Sequence, residues 1–294
     1  METKNNRNYQ NFMLYFTFFL LWVSIQFGEV VEDFIAYIMV VSIGILHGAN
    51  DLLILSKKDK GRNTFLKNLI IYLGIIGGCL IIYFYSPFVA ILLFVFLSAY
   101  HFGEEHLGAI ISVNRVFDFL YFLGYGLFIF ALLLYQSISD VDEVMLELTG
   151  ATFTIQQIEN TLIASTICLF MGSVYLIVSK RNVLVFFIKE SFYLLLLFLV
   201  FKTSSLILGF AIYFILWHSI PSIIDQIEFI SGNLNKESFL FYVKKALIYW
   251  IISIVGLLFL YQIVPDIELF STVIFAILFA VTAPHTWVMY KMKN

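Results

Sequence analysis

The chain's five histidines stand inside four short polar words within otherwise apolar segments. The words are His47-Gly-Ala-Asn-Asp51, His101-Phe-Gly-Glu-Glu-His106, Trp217-His218-Ser-Ile-Pro221 and Pro284-His285. Imidazole suits Fe, Zn, Cu or Ni. In a bilayer core it is costly without a partner, so repeated histidines there mark a functional site. Asp51 follows His47 by four positions, and Glu105 follows His101 by four. On a regular helix each acid then shares a face with its histidine. Such a carboxylate can accept the free N–H of a metal-bound imidazole, or ligate directly. His106 lies five positions after His101, on another face unless Gly103 distorts the turn. Gly48 and Gly103 remove bulk beside their histidines, which suits close helix approach or a large ligand.

The elements that must position these words are membrane helices. The chain is 61% hydrophobic and 13% charged, with 33 Phe, 17 Tyr and a mean hydropathy of +0.94. A soluble domain of this size needs more polar residues to cover its surface. The fold class is therefore all-α, a polytopic transmembrane bundle that reads as one integral membrane domain over residues 1–294. Apolar runs of spanning length predict about ten helices, roughly 11–28, 34–55, 66–85, 88–106, 116–135, 161–179, 183–201, 204–224, 246–263 and 267–290. The first is read as a retained helix, because no small-residue cleavage site follows it. Within the long connection after the fifth helix, Val141 to Leu148 predicts a short interfacial helix. Cys79 and Cys168 sit in apolar segments without a pairing pattern and read as small buried hydrophobes.

Basic residues set the topology. Lys4, Arg7, Lys57, Lys58, Lys60, Arg62, Lys67, Arg115, Lys180, Arg181, Lys189, Lys236, Lys244, Lys245, Lys291 and Lys293 all fall on one side if both termini are cytoplasmic. Only Lys202 falls outside, a strong positive-inside pattern. The outer connections carry Glu29, Glu32 and Asp33, the stretch from Asp140 to Glu147, and Asp266 and Glu268. Merging the seventh and eighth helices across Lys202-Thr-Ser-Ser would reverse Lys236, Lys244 and Lys245, so they are kept separate. Asp225 and Glu228 read as a solvated face, and no basic stripe suggests nucleic acid.

In this topology His47, His101, His218 and His285 lie in the inner halves of four even-numbered helices, within roughly two turns of one another in depth. Four histidines at one depth favour a single non-haem metal centre over b-type haem, whose axial pairs come from facing helices. A proton-coupled transporter would use His and Asp as relays, but the broken helices in matching halves typical of transporters are not evident. Most Phe and Tyr residues face lipid or pack helices rather than forming a cofactor box.

At these four words, in this order and at this rough spacing across nearly the whole chain, the sequence resembles the Brp/Blh family of membrane β-carotene 15,15'-dioxygenases. The resemblance implies cleavage of the central double bond of β-carotene with O2 at histidine-bound Fe(II), giving retinal for delivery to a rhodopsin, with oxidation of another carotenoid or lipid at the same site as the alternative. It implies His47, His101 and His218 as iron ligands and catalytic residues, in a multi-pass protein of the cell (inner) membrane. The family's third word reads His-x-x-x-His, whereas the second position here is Ser222; its second word often ends in Asp, where this chain has His106. The fourth position is left open to solvent, His106, Glu105 or His285. Asp51 and Glu105 are expected behind the ligands, and a long apolar tunnel is expected to admit the polyene from the bilayer.

Overall fold

The computed structural model describes residues 4–58, 61–179, 183–263 and 267–293. Lys60, Lys180, Arg181 and Asp266, used above for topology, lie outside these residues. The described residues form eleven helices and no strand. They are α1 (Lys4–Gln26), α2 (Glu29–Lys58), α3 (Arg62–Tyr85), α4 (Pro87–Leu107), α5 (Arg115–Gln136) and α6 (Ile138–Thr149). The series continues with α7 (Ile155–Ser179), α8 (Leu184–Thr203), α9 (Leu206–Ser231), α10 (Lys236–Ile263) and α11 (Ile267–Lys293). Eight of them, α2 to α5 and α7 to α10, are long and apolar enough to cross a membrane. Their exposed faces carry large apolar side chains, as lipid-facing surfaces do: Ile70 and Phe84 on α3, Phe170 and Val178 on α7, and Ile252 and Phe259 on α10.

The separation of α8 from α9 holds, and its cause is local. Ser205 caps α9 by accepting a hydrogen bond from Leu208 N–H at 3.2 Å, which satisfies one of the free amides at a helix start. Two acids of α2 grip the same residue. Ser205 N–H donates to Glu32 Oε2 at 2.5 Å, and Ser205 Oγ–H donates to Asp33 Oδ1 at 2.8 Å. Carboxylates at a helix N-terminus oppose its positive dipole end. Glu32 and Asp33 therefore fix α9 against α2 and so set the heights of His218 and His47. The Lys189-Glu190 pair does not interrupt α8, because Glu190 turns inward to partners described below.

Helices α4 and α5 approach each other closely enough to bring backbone against backbone. A Cβ on Gly103 would sit 2.0 Å from Phe122 O, and one on Gly126 would sit 1.9 Å from Ala99 O. Neither neighbour can yield without moving backbone, so glycine is required at both positions, as in small-residue membrane helix contacts. Gly103 thus serves helix approach and leaves no room for a ligand. The expected short helix is α6, whose Val141, Met145 and Leu148 pack against Ile91 of α4.

Candidate metal centre

Two of the helices that carry the histidines are locally widened into π turns, at Val40–Gly44 in α2 and at Tyr213–Ser219 in α9. A π turn inserts an extra residue, re-aims the side chains after it and frees backbone carbonyls, and it is frequent at functional sites. In an apolar medium such carbonyls need donors. Trp250 Nε1–H of α10 donates to Val41 O at 2.8 Å, and Tyr9 O–H of α1 donates to Leu216 O. Ser219 Oγ–H donates to Phe214 O at 2.8 Å. His47 follows the first π turn and His218 lies inside the second. Each is thereby aimed at the bundle centre. In α11, Pro284 removes one helical amide just before His285.

The four rings converge. His47, His101, His218 and His285 are buried, at 3%, 1%, 2% and 6% exposure. Ring centroids are 4.5 Å apart for His47–His285, 4.9 Å for His101–His218, 5.0 Å for His47–His218 and 5.6 Å for His101–His285. Ligand nitrogens of His47, His101 and His285 all lie within 4.8 Å of one another. The Nε2 atoms of His47 and His285 are 2.8 Å apart. Two imidazoles at about 2.1 Å from one ion, bound side by side, would stand about 3 Å apart.

The unpartnered atoms test whether a metal fits. His47 Nδ1, His218 Nδ1 and both ring nitrogens of His101 are buried without a hydrogen-bond partner. Buried polar groups are normally bonded, and a cluster of exceptions calls for an ion or water. A divalent cation among these rings can take one nitrogen of each imidazole and so supply part of the missing partners. The donor set, imidazole nitrogens with carboxylates behind them, suits Fe(II), Zn or Cu.

Asp51 does not stand behind His47 as its i+4 spacing suggests. The helix turns at Ala49 and Asn50, so the regular register is lost. The carboxylate instead accepts the Nδ1–H of His285 at 2.8 Å, while Tyr72 O–H donates to its other oxygen at 3.2 Å. That bond fixes the His285 tautomer and leaves its Nε2 lone pair facing His47. Glu105 likewise gives no hydrogen bond to His101; it pairs with Lys293 at 2.7 Å. His106 is turned out of the cluster. Its Nε2 meets both Glu190 oxygens at 3.0 Å, and its ring stacks on Tyr125, whose O–H donates to Glu190 at 2.6 Å. Of the three residues open for the fourth position, only His285 brings its ring to the others.

Ser222 is fully buried and faces away from this role. Its Oγ lies 3.8 Å from Met289 Sδ and accepts from Gln226 Nε2 at 3.3 Å. Gln226 also donates to His47 O at 3.2 Å and accepts from Tyr242 O–H at 2.8 Å. Gly48 is beside His285, where an added Cβ would make an ordinary 3.9 Å contact with its Nδ1. Asp225 and Glu228 are exposed, as expected.

A family model described as beta-carotene 15,15'-dioxygenase matches residues 38–293, from just before the first π turn to the end of α11. The chain belongs to the β-carotene 15,15'-dioxygenase family. No curated protein and no solved structure matches it. The family match contains all four clustered histidines, Asp51 and Tyr72. In this dioxygenase-family chain one flank of the cluster is aromatic. Phe102 lies 4.3 Å from the His218 ring and Phe214 lies 5.8 Å from it, stacked. A cavity of about 410 Å³ opens between α5 and α7, lined by residues such as Leu123, Thr161 and Cys168. A smaller one of about 50 Å³ adjoins Tyr125 and Glu190. Neither touches a clustered histidine.

Sequence reading missed Tyr72, Gln226, Tyr242, Tyr9 and Trp250. Each is a common residue whose role depends on which helices are neighbours. The one available signal was polarity: Asn50 and Gln226 are uncharged amides in apolar segments, which need partners in a membrane.

Proposed function

We propose that this protein is a membrane dioxygenase that cleaves the 15,15' double bond of β-carotene with O2, giving two molecules of retinal, at a non-haem Fe(II) centre. His47, His101, His218 and His285 would hold the iron. The observation that carries this reading is the set of four converging buried rings, three of which keep unpartnered nitrogens. Haem is disfavoured by the same geometry. A porphyrin needs a free plane between two axial imidazoles, and Nε2 atoms 2.8 Å apart leave none. The positive-inside pattern supports a cell-membrane location with both termini cytoplasmic.

When bound, the iron supplies the redox chemistry that activates O2 toward an alkene. The protein's own work is positional. Asp51 and Tyr72 hold His285 in one tautomer, and the Asp51 carboxylate behind that ring offsets part of the ion's charge. Phe102 and Phe214 give the cluster an apolar flank that excludes water and can stack on a polyene. No proton is gained or lost in the overall reaction, which agrees with a site that presents imidazoles rather than an acid–base pair.

The test is expression in cells that accumulate β-carotene. Loss of the orange colour with retinal in the extract is expected. His47→Ala and His101→Ala should abolish both iron content and cleavage. Intact β-carotene in cells holding the iron-loaded wild-type protein would overturn the proposal.

A further inference from the structure

A divalent ion cannot reach a buried site through hydrocarbon, because an unpaired charge there costs far too much. It must follow polar groups from a membrane surface. On three of the histidine-bearing helices, α4, α9 and α11, the charged side chains beyond the histidine, toward the lysine-rich end of the bundle, lie within electrostatic reach of one another. Glu105 follows His101 by four residues on α4, Asp225 follows His218 by seven on α9, and Lys293 follows His285 by eight on α11. Those separations keep each charge on or near its histidine's face of the helix.

Glu105 is the inner member. Its side chain is only 3% exposed, and the Lys293 ammonium lies 2.7 Å from its Oε2. No hydroxyl, amide or ring N–H of the described residues donates to either carboxylate oxygen. A structural bridge buried this deeply normally has such bonds to offset its desolvation. Here the carboxylate's ion pair is with an ammonium in the last turn of α11 that is itself 29% exposed. Asp225 is exposed and within electrostatic reach of both. The group adjoins the centre: Lys293 acts electrostatically on His101 and His218, and Glu105 acts on His285. Beyond it stands His101, with both ring nitrogens unpartnered. The opposite approach, past Phe102 and Phe214, is apolar.

We propose that Asp225 and Glu105 form a cation-loading vestibule through which a divalent metal ion passes to the histidines, with Lys293 as its removable stopper. The incoming ion displaces the ammonium from Glu105 and then moves to the imidazoles; the ammonium returns behind it. This rests on the metal-centre reading above.

The test is Co(II) uptake by the purified, full-length, metal-free protein in detergent, followed through the visible absorption of imidazole-bound Co(II). Glu105→Gln and Asp225→Asn should each slow uptake about tenfold or more at low salt, with the final Co(II) content unchanged. Lys293→Met should speed it. Added salt should slow the wild type more than either acid variant. Asp225→Asn, at an exposed position, keeps the test readable if Glu105→Gln does not fold. Wild-type uptake rates in the acid variants would overturn the vestibule. So would loss of final content in Glu105→Gln, which would make Glu105 a ligand. If the wild type itself binds no Co(II), the metal-centre reading falls, and the vestibule with it.

Discussion

His285 donates its Nδ1–H to Asp51 Oδ1 at 2.8 Å, so the last helix of the bundle is hydrogen-bonded to the second across 234 positions of sequence. The bond selects the tautomer in which Nε2 faces His47, and Tyr72 holds the carboxylate from α3. Asp51→Asn keeps the shape but loses the charge. Removal of such a partner typically lowers metal affinity about 10- to 100-fold. Titration of Co(II) against a competing chelator should show that loss in Asp51→Asn and a smaller one in Tyr72→Phe. Wild-type affinity in Asp51→Asn would show that the bond does not serve the metal.

Ser222 makes a second prediction, because it stands where the resembling family has a histidine. Its hydroxyl is engaged with Gln226 and Met289. Ser222→Ala should therefore retain full metal content and cost about 1 kcal/mol of stability. Ser222→His should overpack a fully buried position, at about 1–3 kcal/mol. Metal analysis beside thermal unfolding in detergent separates the two effects. Metal loss in Ser222→Ala would assign the serine to the centre.

The contact between α4 and α5 yields a third. Gly103→Ala puts a methyl group against the Phe122 backbone, and the helices must separate. A destabilisation of about 1–3 kcal/mol is expected, with lowered metal content because His101 is two residues away. Gly74→Ala, where an added Cβ meets nothing within 4 Å, should be neutral or stabilising, since alanine is the better helix former. Equal unfolding midpoints for the two variants would refute the close contact.

His106 should act on stability alone. His106→Gln breaks its pairing with buried Glu190, and breaking a buried pair costs about 3–5 kcal/mol. The folded fraction should still bind metal in full. A variant with unchanged melting but no metal would return His106 to the ligand set.

Much of this was legible in the residues. Apolar runs and lysine placement located the long helices, and the same placement kept α8 and α9 apart. The histidine words marked His47, His101, His218 and His285 because imidazoles are scarce in membranes. What failed was local register and neighbourhood. The i+4 rule paired Asp51 with His47, but the turn at Ala49 and Asn50 sends the carboxylate to His285. The rule also set Glu105 behind His101, and nothing on α4 reveals that Lys293 lies opposite. The π turns have no sequence signature comparable to a glycine or proline. They show only once Trp250 and Tyr9 are seen at the carbonyls that those turns release.

The wide sequence span of the cluster also sets an order of assembly. His47 and His285 face each other from positions 238 residues apart, and chains fold from the N-terminus as they are made. For most of synthesis, then, the ribosome-bound chain holds at most three of the four rings and lacks His285, the ring that Asp51 orients. The complete site cannot form before α11 has been made. Metal capture by all four rings would thus report that α11 has joined the helices made before it.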